Sequence, residues 1–150
     1  MTAKTKQNKT IIKELKNKTI LVTGGAGSVG SAIVKKLLDY PIKQIRVIDI
    51  DEHALFRLNR SLKNKKVRYL LGDILDKERI EMAGYNVDII IHLAGASITG
   101  KRWSKKRKKL LLSSRVDSTN LIFSEVKKQN IILDAFISAS AIGYYGSSNS

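Results

Sequence analysis

Short apolar runs alternate with amphipathic stretches along most of this chain. Five of these runs are nearly continuous in apolar side chains, which is typical of strands that are covered on both faces of a sheet. The stretches between them repeat apolar residues at helical spacing, and strands that alternate with helices indicate a parallel sheet. The predicted strands are residues 20–23, 45–48, 67–70, 89–92 and 135–138.

The intervening stretches predict four helices. In the last and longest of them, four apolar side chains recur at helical spacing and are expected to face the sheet: Leu112, Val116, Phe123 and Val126. The predicted helices are residues 28–38, 52–62, 77–82 and 104–128.

Residues 1–18 are expected to be a basic, partly flexible tail with a short helix around residues 11–15. Residues 19–150 are expected to form a single domain of the α/β class. Right-handed crossovers then give a doubly wound parallel sheet with about five strands. Ligands of such sheets bind at the carboxyl ends of the strands, beside the point where the strand order reverses.

A glycine-rich turn joins the first predicted strand to the first predicted helix, and its sequence over residues 23–30 is Thr-Gly-Gly-Ala-Gly-Ser-Val-Gly. Gly24 permits the tight turn, Gly27 lets the backbone approach phosphate groups, and Gly30 lets the helix pack closely. A dinucleotide pyrophosphate would then lie at the positive end of the helix. The backbone amides expected to contact it are those of Ala26, Ser28 and Val29.

An acidic residue follows the second predicted strand, at the spacing typical of dinucleotide-binding folds. Asp49 lies nineteen residues beyond Gly30 and can accept hydrogen bonds from the adenosine ribose hydroxyls. Its charge would repel a 2′-phosphate, which favours NAD over NADP, although Arg46 and Arg57 leave NADP open. The alternative is that the acidic segment 49–52 caps the next helix, and Asp51 is the stronger candidate for that cap.

Composition fits a globular domain: 43% of the 150 residues are hydrophobic. The absence of cysteine excludes a disulfide framework, a cysteine-based metal site and thiol catalysis. No apolar run is long enough to span a bilayer, and residues 1–18 lack the apolar core of a signal peptide. We therefore expect a cytoplasmic protein without a membrane partner.

Net charge is +15, which raises the question of a nucleic-acid partner. Lysines are spread along the whole chain, with concentrations only in the N-terminal tail and in residues 101–109. Apart from Trp103, no aromatic side chains that could stack on bases accompany these clusters. Specific nucleic-acid binding is therefore not expected, although weak attraction to polyanions is.

Taken together, these motifs resemble the extended short-chain dehydrogenase/reductase superfamily, whose NAD-dependent epimerases and dehydratases share a Rossmann fold. The resemblance covers about residues 18–146: the glycine turn, the Gly-Asp-Ile of residues 72–74 and the His-Leu-Ala-Gly of residues 92–95. It implies that Asp73 contacts the adenine amino group, with a turn or cap role as the alternative. It also implies a structural role for His92, and a metal site is not expected. The further nucleotide-lining residues that it implies are Ile74, Leu93, Ala94 and Gly95.

Two subfamilies are represented in this resemblance. Residues 20–88 are similar to nucleotide-sugar dehydratases and epimerases of polysaccharide biosynthesis. Residues 93–146 resemble an atypical epimerase family that is often labelled cell-division-inhibitor-like. Natural divergence, recombination and deliberate fusion would each produce such a mosaic.

The chemistry implied by the resemblance is transient hydride transfer between NAD and a sugar carbon. A serine would hold the substrate oxygen, with Ser140 at the matching position and Ser138 as the alternative; close packing at a strand end would equally explain small residues there. The expected Tyr-x-x-x-Lys pair is absent, because neither Tyr144 nor Tyr145 has a lysine four residues later.

The chain is therefore expected to stop before the catalytic segment, and to bind cofactor without completing catalysis alone. A nucleotide-sugar would be its substrate once a C-terminal domain completes the enzyme, and a homodimer is possible. The other hypotheses are a non-catalytic module that senses NAD(H) or scaffolds a partner, and a basic nucleic-acid-binding domain.

Overall fold

The computed structural model describes residues 3–97, 102 and 104–139, with side chains described from residue 9 onward. Five helices alternate with five strands along this part of the chain. The helices are α1 (Ala3–Leu15), α2 (Ser28–Leu37), α3 (Glu52–Leu62), α4 (Lys77–Gly84) and α5 (Lys105–Lys128). The strands are β1 (Thr19–Thr23), β2 (Gln44–Asp49), β3 (Val67–Leu71), β4 (Ile89–His92) and β5 (Ala135–Ser138).

The strands form one parallel sheet in the order β3-β2-β1-β4-β5. This order confirms the predicted doubly wound topology, with β1 between the two halves of the sheet. Because β2 and β4 flank β1, the connections that leave β1 and β4 diverge to opposite sides and open a crevice at their carboxyl ends.

Apolar side chains from the sheet enter two separate cores, one on each face. On the first face, residues of β1 and β2 such as Val22 and Val47 pack with Val34 of α2 and Leu55 of α3. On the second face, residues such as Leu21 of β1 pack with side chains of α4 and α5. The two cores explain why β1 and β4 are buried along their full length and have no exposed face.

The edge strands are less covered than the sequence predicts. Only Val67 is buried in β3, and no residue of β5 is fully buried. Ile137, on the face of β5 opposite Phe136, is 52% exposed. The continuous apolar runs therefore mark strands correctly but do not separate central strands from edge strands.

The N-terminal helix begins earlier than predicted. α1 starts at Ala3, whereas the apolar pattern indicates only a short helix around residues 11–15. The first two turns of α1 are mostly polar, so they give no apolar periodicity. Leu15 packs against the first core, and Lys18, just beyond the helix, forms an ion pair with Asp134 at 2.6 Å.

The orientation predicted for the longest helix is wrong at two of four positions. Leu112 and Val116 are 66% and 46% exposed, whereas Val126 packs against the second core. Phe123 is half-exposed, but its ring contacts that of Phe136 on β5, with centroids 4.6 Å apart. The fully buried residues of α5 are Ser118, Ile122 and Glu125. Two of these three are polar, so apolar spacing alone does not identify the buried face of the helix.

Candidate functional site

A crevice of about 460 Å³ opens at the carboxyl ends of β1, β2, β3 and β4. It contains eight of the eleven residues predicted to bind cofactor, drawn from the glycine turn and from the segments after three other strands. Those residues are Gly24, Gly27, Asp49, Asp73, Ile74, Leu93, Ala94 and Gly95. The strand-end arrangement expected from the sequence is therefore present.

Gly24 makes the turn out of β1 possible. Its φ of +65° lies in the left-handed region that favours glycine. A Cβ there would also lie 2.9 Å from both the Cα and the N of Ala94, on the segment after β4. Gly24 therefore meets two demands, a backbone conformation and a close approach between the strand ends.

Gly30 is required by packing inside the chain. A Cβ at this position would lie only 2.4 Å from the carbonyl oxygen of Gly24 and 2.6 Å from Cα of Gly25. The close contact predicted for Gly30 is thus a contact between α2 and the glycine turn itself. Gly30, Ser28 and Val29 do not line the crevice, and Val29 is 65% exposed.

Gly27 needs neither a left-handed backbone nor space for a close internal contact. Its φ of −68° suits any residue. The sole neighbour that a Cβ would meet within 4 Å is the Gly24 carbonyl oxygen, at an ordinary 3.4 Å. Gly27 lines the crevice as the N-cap of α2, and no side chain caps that helix. The missing Cβ leaves room beside uncapped helical amides, which is the geometry that anions use.

Asp49 joins the end of β2 to the glycine turn. Its Oδ2 accepts a hydrogen bond from the Ala26 amide at 3.0 Å, and its Oδ1 accepts one from the Asp51 amide at 3.1 Å. The Ala26 amide, predicted to contact the pyrophosphate, is therefore donated to Asp49. Asp51 caps α3 through the Ala54 amide at 2.9 Å, as predicted, so Asp49 is not the helix cap.

Asp73 stands at the far side of the crevice, after β3. Its Oδ1 accepts a hydrogen bond from the Leu75 amide at 2.9 Å, which is the turn role weighed as the alternative. The same side chain also borders the crevice, next to Ile74. Its contact with adenine stays a prediction.

The segment after β4, residues 93–97, forms one wall of the crevice and is called the crevice loop below. The Leu93 amide donates to the Thr23 carbonyl at 3.1 Å, and the Ala94 amide contacts Thr23 Oγ1 at 3.3 Å. Farther along, the Ala96 amide donates to Ser114 Oγ at 3.0 Å. Arg115 Nη1 donates to the Ala96 carbonyl at 3.3 Å. The loop is thus held by β1 on one side and α5 on the other.

Directly before that loop, His92 is buried between the same two elements. Its Nδ1 lies 2.7 Å from Thr23 Oγ1 and its Nε2 lies 3.0 Å from Ser118 Oγ. Burial, together with the positive charge of Arg115, lowers the pKa of the imidazole. Both ring nitrogens are occupied by side chains of the fold, which agrees with the structural role that the resemblance implies.

Comparison with known proteins decides the family. Residues 21–148 match the model of the 3-beta hydroxysteroid dehydrogenase/isomerase family, one of the extended short-chain dehydrogenases/reductases. The chain belongs to this family. Its Rossmann sheet, its glycine turn and its strand-end crevice are those of a nucleotide-binding fold.

Individual relatives agree with the family assignment. An epimerase family protein of Staphylococcus aureus is 34% identical over 128 residues, which are 85% of this chain and 39% of that protein. An uncharacterized membrane protein of Methanocaldococcus jannaschii is 52% identical over 79 residues, 53% of this chain and 24% of that protein. The chain therefore spans less than half the length of either relative.

A solved structure has the same fold. UDP-glucose 4-epimerase from Bifidobacterium longum, in complex with NAD+ and UDP, superposes with a TM-score of 0.72 at 27% identity. The similarity covers 88% of this chain and 39% of that one. The mosaic of two subfamilies remains a prediction, because these comparisons do not separate the two halves of the chain.

The structure describes only some of the residues that were considered for a catalytic role. Ser140, Tyr144 and Tyr145 lie outside the described residues. Ser138 ends β5, where it is exposed and pairs with His92 in the sheet register. Tyr69 packs against the first core, and burial raises the pKa of its phenol, which is opposite to what a proton acceptor requires.

Several crevice residues were not predicted as site residues: Ile50, Leu75, Ala96 and Ser114. Ile50 had a usable sequence signal, because it directly follows Asp49 at a predicted strand end. In the structure it is 70% exposed despite being apolar. Ser114 had none, since its place at the crevice depends on how α5 packs. Within the described ranges, no group of three potential metal-ligating side chains is present, and no helix has the length and apolar content to cross a membrane.

Proposed function

We propose that this chain is the nicotinamide-nucleotide-binding part of an epimerase- or dehydratase-type oxidoreductase, with NAD preferred to NADP. The observation that carries the proposal is Gly27. This residue needs no special backbone conformation and meets no close neighbour, yet it stands at the crevice where a side chain would fill the space in front of α2. No contact among the described residues requires a glycine at this position, whereas a bound phosphate group would require one.

The crevice supplies the remaining contacts that a dinucleotide needs. The first turn of α2 offers backbone amides without a competing side-chain cap for a pyrophosphate. Asp49 offers an acceptor for ribose hydroxyls, and Asp73 lies where an adenine amino group could donate to it. Apolar surface from Ile50 and Leu75 would cover the base between these polar groups. The similar UDP-glucose 4-epimerase is solved with NAD+, which supports this choice of cofactor.

Preference for NAD follows from charge at the ribose end. The Asp49 carboxylate borders the crevice, and a 2′-phosphate beside it would place two negative charges together. Among the described residues, no hydrogen bond or ion pair joins Asp49 to an arginine, and the amides of Ala26 and Asp51 donate to its carboxylate. No described arginine therefore offsets the repulsion between this carboxylate and a 2′-phosphate.

When bound, the nicotinamide would accept a hydride from a substrate carbon and return it, which is the chemistry of epimerases and dehydratases. The described residues of this chain bind and orient the cofactor, and the crevice loop forms the wall beside it. We propose a nucleotide-sugar as the substrate of the complete enzyme. Ser138 or Ser140 would hold its reacting hydroxyl, and the proton acceptor would come from outside the described residues.

A pair of glycine variants tests the binding site. Gly27→Ala adds a Cβ in front of α2, whereas Gly84→Ala adds one at the end of α4, where nothing lies within 4 Å. Calorimetric titration with NAD and with NADP should show saturable binding by the unmodified chain, tighter for NAD. Gly27→Ala should weaken NAD binding at least about tenfold, corresponding to ~1.4 kcal/mol, while Gly84→Ala should not change it.

Thermal unfolding of both variants controls for the fold. Because neither added Cβ meets a close neighbour, both proteins should unfold near the temperature of the unmodified chain. A folded Gly27→Ala protein with undiminished NAD affinity would exclude the pyrophosphate from this turn. A folded unmodified chain that binds neither nucleotide would contradict the proposed function as a whole.

A further inference from the structure

We propose that His92 is a positioning residue for the nucleotide crevice: its neutral ring connects β1 to α5 and thereby fixes the crevice loop, residues 93–97, in the conformation that lines the site. This inference rests on the proposed function only for its consequence for nucleotide affinity. Its structural part stands on the hydrogen bonds around the ring, which have one consistent direction.

The direction is set by Ser118. A serine hydroxyl has one proton, and Ser118 Oγ lies 2.7 Å from the Ser114 carbonyl and 3.1 Å from the Arg115 carbonyl, both of which only accept. The Ser118 proton is therefore used within α5. In its contact with His92 Nε2 at 3.0 Å, Ser118 Oγ must accept, so the ring carries its proton on Nε2.

The other ring nitrogen, Nδ1, then sets the direction of the hydrogen bond to Thr23 of β1. With the proton on Nε2, the neutral ring has a lone pair on Nδ1, and the Thr23 hydroxyl 2.7 Å away donates to it. The remaining acceptor capacity of Thr23 Oγ1 meets the Ala94 amide at 3.3 Å. One directed chain thus runs from Ala94 through Thr23, His92 and Ser118 into the backbone of α5.

The same turn of α5 holds the far end of the crevice loop. Ser114 accepts from the Ala96 amide at 3.0 Å, and Arg115 donates to the Ala96 carbonyl at 3.3 Å. On one side, His92 therefore bonds to Thr23, which also bonds to Ala94. On the other side it bonds to Ser118, whose hydroxyl bonds to the turn of α5 that holds Ala96. Leu93, Ala94, Gly95 and Ala96 all line the crevice between these anchor points.

A second proton on the ring would reverse this arrangement. Nδ1–H could no longer accept from Thr23, so Thr23 would have to turn its hydroxyl proton away and accept from the ring instead. His92 is only 3% exposed, and the charged group that acts on it is the Arg115 guanidinium. Among the described neighbours, Thr23, Ser118 and Phe136 carry no charge, and no carboxylate faces the ring to balance a cation.

The sign of the pH dependence follows. Burial first, and Arg115 second, lower the pKa of His92 in the folded chain below its ordinary 6.5. The stabilisation from the neutral ring is fully present above that ordinary pKa, and it is lost as the pH falls through the lowered pKa of the folded state. Nucleotide affinity should fall over the same acidic range, because the directed hydrogen-bond chain that orients the Thr23 hydroxyl beside Ala94 is then broken at His92 Nδ1.

The first test is the imidazole spectrum of the full chain. The chain has two histidines, and the other one, His53, is exposed on α3. Proton–nitrogen correlation spectra recorded during a pH titration should show His92 neutral with its proton on Nε2 near neutral pH, and titrating below the ordinary imidazole pKa of 6.5. A proton on Nδ1, or a titration of His92 at or above 6.5, would overturn the proposed direction.

The second test uses variants. His92→Phe retains a buried ring without polar atoms, and Ser118→Ala removes the acceptor for Nε2 with little change in shape. Ser124→Ala is the matched control, because Ser124 also bonds to a helix carbonyl of α5, at 2.7 Å from Leu121 O, but is exposed. Amide hydrogen exchange at Ala94 and Ala96 measures how firmly the crevice loop is held. The dissociation constant for NAD, measured as a function of pH, gives the affinity of the site.

Both substitutions should accelerate exchange at Ala94 and Ala96 and weaken NAD binding about tenfold near neutral pH, equivalent to ~1.4 kcal/mol. In His92→Phe the weakening of NAD binding at acidic pH that is expected for the unmodified chain should disappear, which a loss of general stability would not cause. Ser124→Ala should change neither readout. If His92→Phe does not fold, Ser118→Ala still decides the exchange and affinity results.

The outcomes separate this inference from the proposed function. Failure of the folded, unmodified chain to bind NAD or NADP at any pH would contradict the proposed function, while the imidazole and exchange results would still judge the role of His92. Unchanged exchange at Ala94 and Ala96 in both variants would overturn the positioning role. Changed exchange with unchanged NAD affinity would overturn its consequence for the site.

Discussion

Both oxygens of the Asp49 carboxylate already accept hydrogen bonds from the chain itself, at 3.0 and 3.1 Å. A carboxylate oxygen has two lone pairs, so each can still accept from a ribose hydroxyl. The bond to Ala26 also fixes the glycine turn against the end of β2. Asp49 therefore has two separable roles, one through its charge and one through its position as an acceptor.

The substitution Asp49→Asn separates these roles. An asparagine can keep one oxygen for the Ala26 amide but loses the negative charge that would repel a 2′-phosphate. We expect the preference for NAD over NADP to narrow about tenfold, because the repulsive element is gone. Calorimetric titration of the variant with both nucleotides measures the ratio of the two affinities.

Asp51→Ala is the control for this prediction. It removes the nearby carboxylate that caps α3 through the Ala54 amide, which should cost about 1 kcal/mol of unfolding free energy. The ratio of NAD to NADP affinity should stay unchanged in Asp51→Ala. If Asp49→Asn retained the same ratio as the unmodified chain, the discrimination would have to come from another residue.

Single residues could be predicted from the sequence where their reason is local. Gly24 follows a strand and precedes a turn, and Asp51 precedes a helix, so neighbouring residues alone indicate their roles. Ser114 and Ala96 are eighteen residues apart and meet only because α5 packs beside the crevice loop. Contacts of this kind depend on tertiary packing and leave no local pattern.

At the scale of elements, α5 shows why apolar spacing alone can fail to identify the buried face. Its buried side includes Ser118, which bonds to His92, and Glu125, whose side chain is 4% exposed and lies 3.7 Å from Lys128 Nζ and 3.8 Å from Lys77 Nζ. Polar residues on the buried side of a helix lower the apolar contrast between its two faces. Strand and helix bounds, in contrast, agree with the predictions to within two residues, apart from α1.

Two substitutions in α5 test its orientation. Ile122 is 1% exposed in the second core, whereas Leu112 is 66% exposed. Ile122→Ala should cost about 2–5 kcal/mol of unfolding free energy because it leaves a cavity among buried neighbours. Leu112→Ala should change the unfolding free energy by no more than about 0.5 kcal/mol.

Urea unfolding of the two variants and the unmodified chain gives these differences directly. Both substitutions remove apolar atoms from the same helix, so their effects on helix propensity are similar and small. A cost for Leu112→Ala equal to that for Ile122→Ala would show that the predicted face, not the observed one, packs against the sheet.

At the scale of the whole molecule, the main electrostatic feature is the excess of positive over negative charge. Folding brings a net charge of +15 into a compact volume, and self-repulsion then works against the folded state. The clearest local conflict is the start of α5, where Lys105, Lys106 and Arg107 occupy the first turn and no acidic residue is present. Basic side chains at a helix N-terminus oppose the helix dipole, which favours negative charge there.

Replacing one of these lysines should therefore stabilise the chain. Lys106→Glu places a carboxylate in the first turn of α5 and should raise the unfolding free energy by about 0.3–1 kcal/mol at low ionic strength. The matched control is Lys65→Glu, at an exposed position between α3 and β3, because it changes the net charge equally without a helix terminus. The gain in unfolding free energy for Lys65→Glu should be smaller, since only relief of general repulsion remains.

Thermal and urea unfolding at about 20 mM and about 200 mM NaCl should show that the extra stability of Lys106→Glu becomes smaller as salt screens the charges. A loss of stability in Lys106→Glu, or a gain no larger than that of Lys65→Glu, would mean that the basic first turn of α5 does not destabilise the helix through its dipole.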